Sequence, residues 1–263
     1  MRILSLKLTD RLCVPLDGMD TDEARQCVDD LYPLVGGFKL GHERIQKQDA
    51  GVLTRHIFDA GCWAFWDGKI IDIPETVKNG VSSAAAWPGV SMTNVMCLGG
   101  RAMMKSAVEG VSIGCPDLEA RPWVLGVTVL TSISPDELLD MIPSEFIHAI
   151  CEYSRTDKSS FLTSLVCHLA QMAKECGLDG VVASAQETTL IRNRVGPNFK
   201  IITPGIRPAG GDANDQKRTT TPTVAIEAGS DVLIVGRPIT QPKSGTRADA
   251  AKRIVDEIAT ALG

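Results

Sequence analysis

Histidine is scarce in this chain of 263 residues: there are four, His42, His56, His148 and His168. None has a partner at a spacing that zinc sites use, and Cys167-His168 with Cys176 reads as one helix that happens to contain all three. No metal is expected. The eight cysteines are scattered, with no C-x-x-C among them, and several lie inside apolar runs. That pattern argues for buried, reduced thiols rather than a disulfide framework. Aromatic residues make up only 5 % of the chain, and the formal charge is −5 with no block of lysine and arginine. A general nucleic-acid binder is therefore excluded. No apolar run reaches the roughly 18–20 residues needed to span a bilayer. The first twelve residues carry no cleavable leader pattern, because Lys7 breaks a short apolar stretch. A cytoplasmic protein with no membrane association is expected.

What is present is a regular alternation of apolar runs and helical patterns. Strands are predicted at 12–17, 38–41, 62–66, 90–95, 123–130, 180–184, 200–203 and 231–235. Helices are predicted after Asp20, over 43–60, from Pro74 to about Ala86, from Gly99 to about Val111, after Ser134, over Phe161–Cys176, and over 245–262. Residues 143–160 read as a polar surface segment. Eight strands alternating with helices predict a single-domain α/β fold, a closed (β/α)8 TIM barrel. A doubly wound open sheet is the competitor, but no G-x-G-x-x-G follows the first strand.

The polar residues of consequence sit just after the strands: Asp17, Lys39, Asp67, Lys69, Thr131-Ser132, Arg207 and Arg237. In a parallel barrel these exits share one face, where such folds place their chemistry. The densest is Asp67-x-Lys69-x-x-Asp72. Alternation along a strand points Phe65, Asp67 and Lys69 one way and Trp66 the other, toward a covering helix. An isolated D-x-K-x-x-D also fits a structural ion pair at a strand end. A series Asp17, Lys39, Asp67, Lys69 holds acids ionised and lysines protonated by mutual attraction. At the last two exits, Gly205 and Gly236 let backbone N–H groups approach a ligand, and Arg207 and Arg237 can fork onto phosphate oxygens. A Pro-Gly turn with a solvated arginine is the plainer reading of each exit taken alone.

Taken in order, LCVPLDGMD, GGFKLGHE, FWDGKIIDIPETV, VLGVTVLTS, DGVVASAQE, ITPGIRP, GDANDQKR and DVLIVGRPIT resemble the orotidine 5′-phosphate decarboxylase family over about residues 10–260. The resemblance implies a dimeric (β/α)8 barrel that uses no cofactor or metal and converts orotidine 5′-phosphate to UMP and CO2. It implies that Asp17 and Lys39 hold the ribose, that Asp67 lies beside the substrate carboxylate, and that Lys69 protonates C6. Asp72 and Thr76 would reach into the partner subunit's site. Thr131 would meet the pyrimidine, and Arg207, Gln216, Gly236 and Arg237 the phosphate. The chain departs from the family's pattern at Gly68, where a bulky residue is common, at Ile70-Ile71, where Phe-His is common, and at Met96, where His is common. Gly68 is expected to loosen the strand between Asp67 and Lys69. Sibling barrels with a similar D-x-K-x-x-D, such as 3-keto-gulonate 6-phosphate decarboxylase or hexulose phosphate synthase, use Mg2+ and an enediolate. They and a non-catalytic ligand-binding barrel remain the alternatives.

Overall fold

A computed structural model describes residues 6–143, 157–208 and 220–263. The strands are β1 (Leu12–Pro15), β2 (Gly37–Gly41), β3 (Trp63–Ile70), β4 (Val90–Met96), β5 (Trp123–Val127), β6 (Gly180–Val182), β7 (Lys200–Thr203) and β8 (Val232–Ile234). They run in that order around a closed barrel. Every pairing is parallel, and β1 closes on β8 through Leu12 with Leu233 and Cys13 with Ile234.

The helices among the described residues are α1 (Thr21–Leu31), α2 (His42–Ile45), α3 (Ala50–Asp59), α4 (Pro74–Ala85), α5 (Gly100–Gly114), α6 (Pro135–Asp140), α7 (Lys158–Glu175), α8 (Ala185–Val195), α9 (Pro222–Glu227), α10 (Arg237–Thr240) and α11 (Arg247–Leu262). Their starts are chemically marked. Asp20, Asp157, Ser184 and Thr221 each accept a hydrogen bond from a backbone N–H of the first turn, and Ser134 and Thr246 form reciprocal capping boxes. Pro74, Pro135 and Pro222 occupy first-turn positions, where a missing N–H costs nothing. No helix of the described residues is long and apolar enough to cross a membrane.

Several boundaries differ from expectation for definite reasons. The helix expected over 43–60 is two helices, because Asp49 turns back to Arg44. The guanidinium of Arg44 is fully buried and donates to both Asp49 carboxylate oxygens, at 2.7 and 2.6 Å. Helix α1 stops at Leu31, since Tyr32 precedes Pro33 and takes an extended conformation. Pro15 is the last residue of β1, so its missing donor disturbs no ladder. Strands β5 and β6 are shorter than their apolar runs, and β3 is longer, continuing through Asp67 and Lys69. Most of the segment 143–160 lies outside the described residues.

Among the described residues the core divides into three apolar clusters. One lies inside the barrel, built on Cys13, Trp63, Phe65, Met92, Trp123 and Ile234 among others. A second packs β1–β3 against α1, α3 and α11, and a third packs β4–β7 against α4, α5 and α7. Trp66 does point outward, stacking on Trp87 just beyond α4 with ring centroids 6.1 Å apart. The interior cluster is the floor on which the polar strand exits stand.

Candidate active site

The carboxyl ends of the strands bring together most of the residues singled out above. Lys39 Nζ lies 2.5 Å from Asp17 Oδ2 and 3.1 Å from Asp67 Oδ2. Lys69 Nζ lies 2.8 Å from Asp67 Oδ1. Asp17, Lys39, Asp67 and Lys69 thus form one continuous chain of alternating charge across β1, β2 and β3. The backbone N–H of Gly41 fixes Asp17 by donating to its other oxygen, at 2.8 Å.

Burial grades along this chain and decides its electrostatics. Asp67 and Lys39 are buried, Lys69 is half-buried and Asp17 is exposed. Burial alone pushes the Lys39 pKa down, but the charges of Asp67 and Asp17 outweigh it and leave the ammonium above the ordinary lysine value. Burial likewise pushes Asp67 up. The Lys39 and Lys69 charges, with hydrogen bonds from Lys69 and Asn94, outweigh it and leave the carboxyl below its ordinary value. Both groups are therefore held charged. Cys13, beneath them, is held as a neutral thiol by its burial.

Two adjoining cavities open over this chain. One, of about 380 Å3, is bounded by Phe65, Asp67, Lys69, Val127, Thr131 and Val182 among others, an apolar slot with charges along one edge. The other, of about 580 Å3, is bounded by Asp17, Lys39, Gly205, Arg207, Gly236 and Arg237 among others. Lys39, Pro204 and Ile234 border both. Gly205 takes a φ of +79°, which a side chain would resist. Burial, and then the neighbouring Arg237 charge, lowers the Arg207 pKa, a sign that the two guanidinium groups stand close together at this cavity.

Not every expected residue joins. Asp72 is exposed, and its Oδ1 accepts from the backbone N–H of Ile73 at 2.6 Å rather than meeting Lys69. Thr76 is exposed on the first turn of α4. Of the two carboxylates in D-x-K-x-x-D, Asp67 is the one that pairs with Lys69 within the chain. Gln216 and the GDANDQKR loop lie outside the described residues. Gly68 is buried within β3, where an added Cβ would meet Ile45 Cδ1 at 3.3 Å. One residue was missed. Asn94 of β4 is fully buried, donates from Nδ2 to Asp67 Oδ1 at 2.6 Å and accepts from the Lys69 backbone N–H at 2.7 Å. The signal for it was present: an amide in the middle of VSMTNVM, which as a buried group needs partners.

The fold and the site define a class: a parallel (β/α)8 barrel with an acid–lysine chain at its mouth, set between an apolar slot and a cavity bordered by two arginines. Within that class the chain belongs to the Orotidine 5′-phosphate decarboxylase / HUMPS family, whose model matches residues 10–254. It is 40 % identical over 259 residues to the orotidine 5′-phosphate decarboxylase of Syntrophomonas wolfei, covering 96 % of this chain and 99 % of that protein. It is 41 % identical over 253 residues to the protein of the same name from Syntrophotalea carbinolica, covering 96 % of each. The crystal structure of orotidine 5′-phosphate decarboxylase from Lactobacillus acidophilus superposes with a TM-score of 0.76 at 32 % identity, covering 95 % of this chain and 99 % of that one.

Proposed function

We propose that this protein decarboxylates orotidine 5′-phosphate to UMP, with Lys69 as the proton donor and no cofactor or metal. The observation that carries the reading is the placement of the Lys69 ammonium. It stands at the edge of the apolar slot, 2.8 Å from a buried carboxylate, and a continuous charge chain links it to the arginine-bordered cavity. A nucleotide lying across both cavities would place its phosphate between Arg207 and Arg237, with Gly236 giving close backbone approach and Gln216 completing the cradle. Its ribose would lie at Asp17 and Lys39, and its base in the slot against Thr131.

Loss of CO2 from C6 leaves a carbanion whose lone pair lies in the ring plane and cannot spread into the π system. A fixed ammonium at that carbon stabilises the charge as it develops and then delivers the proton. Asp67 beside the substrate carboxylate repels it, and departure of CO2 removes the repulsion. Binding of the remote phosphate supplies energy to orient the base and exclude water. The site carboxylates Asp17 and Asp67 are engaged by ammonium groups, a poor setting for a divalent cation.

The same reading makes the enzyme a homodimer of one-barrel subunits, with Asp72 and Thr76 entering the partner subunit's site. It also places the enzyme in the cytoplasm, in keeping with seven free cysteines among the described residues.

Incubation with orotidine 5′-phosphate tests the reading through the decay of the orotate absorbance, with and without EDTA. Turnover insensitive to EDTA is expected. Loss of turnover on chelation would move the assignment to the magnesium-dependent siblings. Lys69→Ala is expected to lower kcat by a factor on the order of 10^3 or more while UMP binding stays measurable. Retained turnover would remove Lys69 from the mechanism.

A further inference from the structure

The register of β3 against β4 is irregular at the site. Trp66 pairs with Thr93 and Ile70 pairs with Val95, so Asp67, Gly68 and Lys69 all lie opposite the single residue Asn94. Extra residues in one strand arch it away from its neighbour and break the ladder. Lys69, at the end of the arch, has a φ of 47° and is the one non-glycine residue with positive φ among those described. A side chain in that region is strained, and such strain persists only where the surroundings over-determine the backbone. Asn94 supplies that determination. Its Oδ1 takes the Lys69 backbone N–H at 2.7 Å, and its Nδ2 holds the Asp67 carboxylate at 2.6 Å. The orientation of the amide follows from its partners, since a backbone N–H can only donate and a carboxylate can only accept. Gly68 at the crest has no side chain to fill the arch, so the clamp falls on the neighbouring strand.

We propose that Asn94 is a positioning residue. By tying both feet of the β3 arch it sets where the Lys69 ammonium and the Asp67 carboxylate stand relative to each other and to the slot. Its kinetic consequence rests on the decarboxylase reading above; its structural consequence does not. Asparagine is suited to the task because one short planar group offers a donor and an acceptor on opposite sides. Aspartate would keep the acceptor for Lys69 but set a second carboxylate against Asp67. Alanine would keep neither contact.

The test uses Asn94→Ala and Asn94→Asp in the full chain. Measured are kcat and KM with orotidine 5′-phosphate, UMP affinity by calorimetry, Tm, and a crystal structure of each variant. A misplaced ammonium is expected to lower kcat about 100-fold in both variants. KM and UMP affinity are expected to stay within about fivefold of wild type, because the binding residues are untouched. An Asn94→Ala enzyme within about threefold of wild-type kcat overturns the proposal. So does parallel loss of Tm, UMP binding and kcat in both variants, which marks a merely structural amide. Should Asn94→Ala not fold, Asn94→Asp decides by the same criteria, as it retains the volume. Should the wild type itself show no turnover, the decarboxylase reading fails and the crystal structures decide the positioning role. A Lys69 φ still near 47° with Nζ still 2.8 Å from Asp67 overturns it. A relaxed arch with that pair parted upholds it.

Discussion

Asp67 meets Lys39, Lys69 and Asn94 at once. Its carboxyl pKa is lowered in the folded protein, so it contributes stability above the unfolded carboxylate value of about 3.9 and loses it as pH falls through the lower folded value. Lys39 behaves in mirror image. Its raised pKa contributes stability that is fully present below the unfolded lysine value of about 10.4 and is lost as pH rises through the higher folded value. Between those limits the network's contribution is constant. Asp67→Asn leaves the buried Lys39 ammonium with one acid fewer, and a loss of about 3 kcal/mol is expected at neutral pH. Denaturant melts from pH 7 down to pH 2 check this. The gap between wild type and variant should hold to about pH 4 and then narrow. A gap unchanged at pH 2 would mean that the carboxylate charge is not what stabilises.

Helix α4 carries the first turn on which Asp72 and Thr76 are mounted, and its seat is set by α5. An added Cβ at Gly110 would stand 2.3 Å from the Lys78 carbonyl oxygen, and one at Gly114 would stand 2.1 Å from that of Ser82. Two residues without side chains, one helical turn apart, let the backbones touch. Gly110→Ala is therefore expected to force the pair apart at a cost of about 1–3 kcal/mol. Gly80, within α4, is the control: its Cβ would meet only Ile70, at 3.7 Å, an ordinary contact. Gly80→Ala should be neutral or stabilising, by up to about 1 kcal/mol. Thermal melts of both variants suffice, and equal destabilisation would refute the close-approach account. Much of this scale was legible beforehand. The order of the strands and the side on which their charged exits lie follow from apolar runs, caps and spacing. The break between α2 and α3 was not legible, because it depends on Arg44 finding Asp49 in three dimensions. The β3 arch was equally hidden. Simple alternation does put Phe65, Asp67 and Lys69 around one slot, as observed, yet the actual route is a bulge with a left-handed lysine. Asn94 is uncharged and sits mid-strand, and it acts through neighbouring residues of β3, so the pattern of charged strand ends does not mark it.

At the scale of the whole molecule, the described residues leave an apolar edge exposed around Asp72. Ile71 and Ile73, which flank Asp72, are 56 % and 67 % exposed, and the first turn of α4 lies open with them. Apolar side chains bracketing an acid at a site mouth suit burial against a second copy, which is the dimer proposed above. That arrangement makes a prediction no monomeric site shares. Lys69→Ala and Asp72→Ala subunits should each be nearly inactive as homodimers. Mixed as unfolded chains and refolded together, they should form heterodimers in which one site carries both substitutions and the other carries neither. The intact site draws Lys69 from the Asp72→Ala subunit and Asp72 from the Lys69→Ala subunit. Random pairing makes half of the dimers mixed, each with one good site of two, so activity should recover to about one quarter of wild type. If Asp72 served its own chain, every site in every dimer would lack one residue. Mixing would then recover nothing, even with heterodimers demonstrated by mass spectrometry.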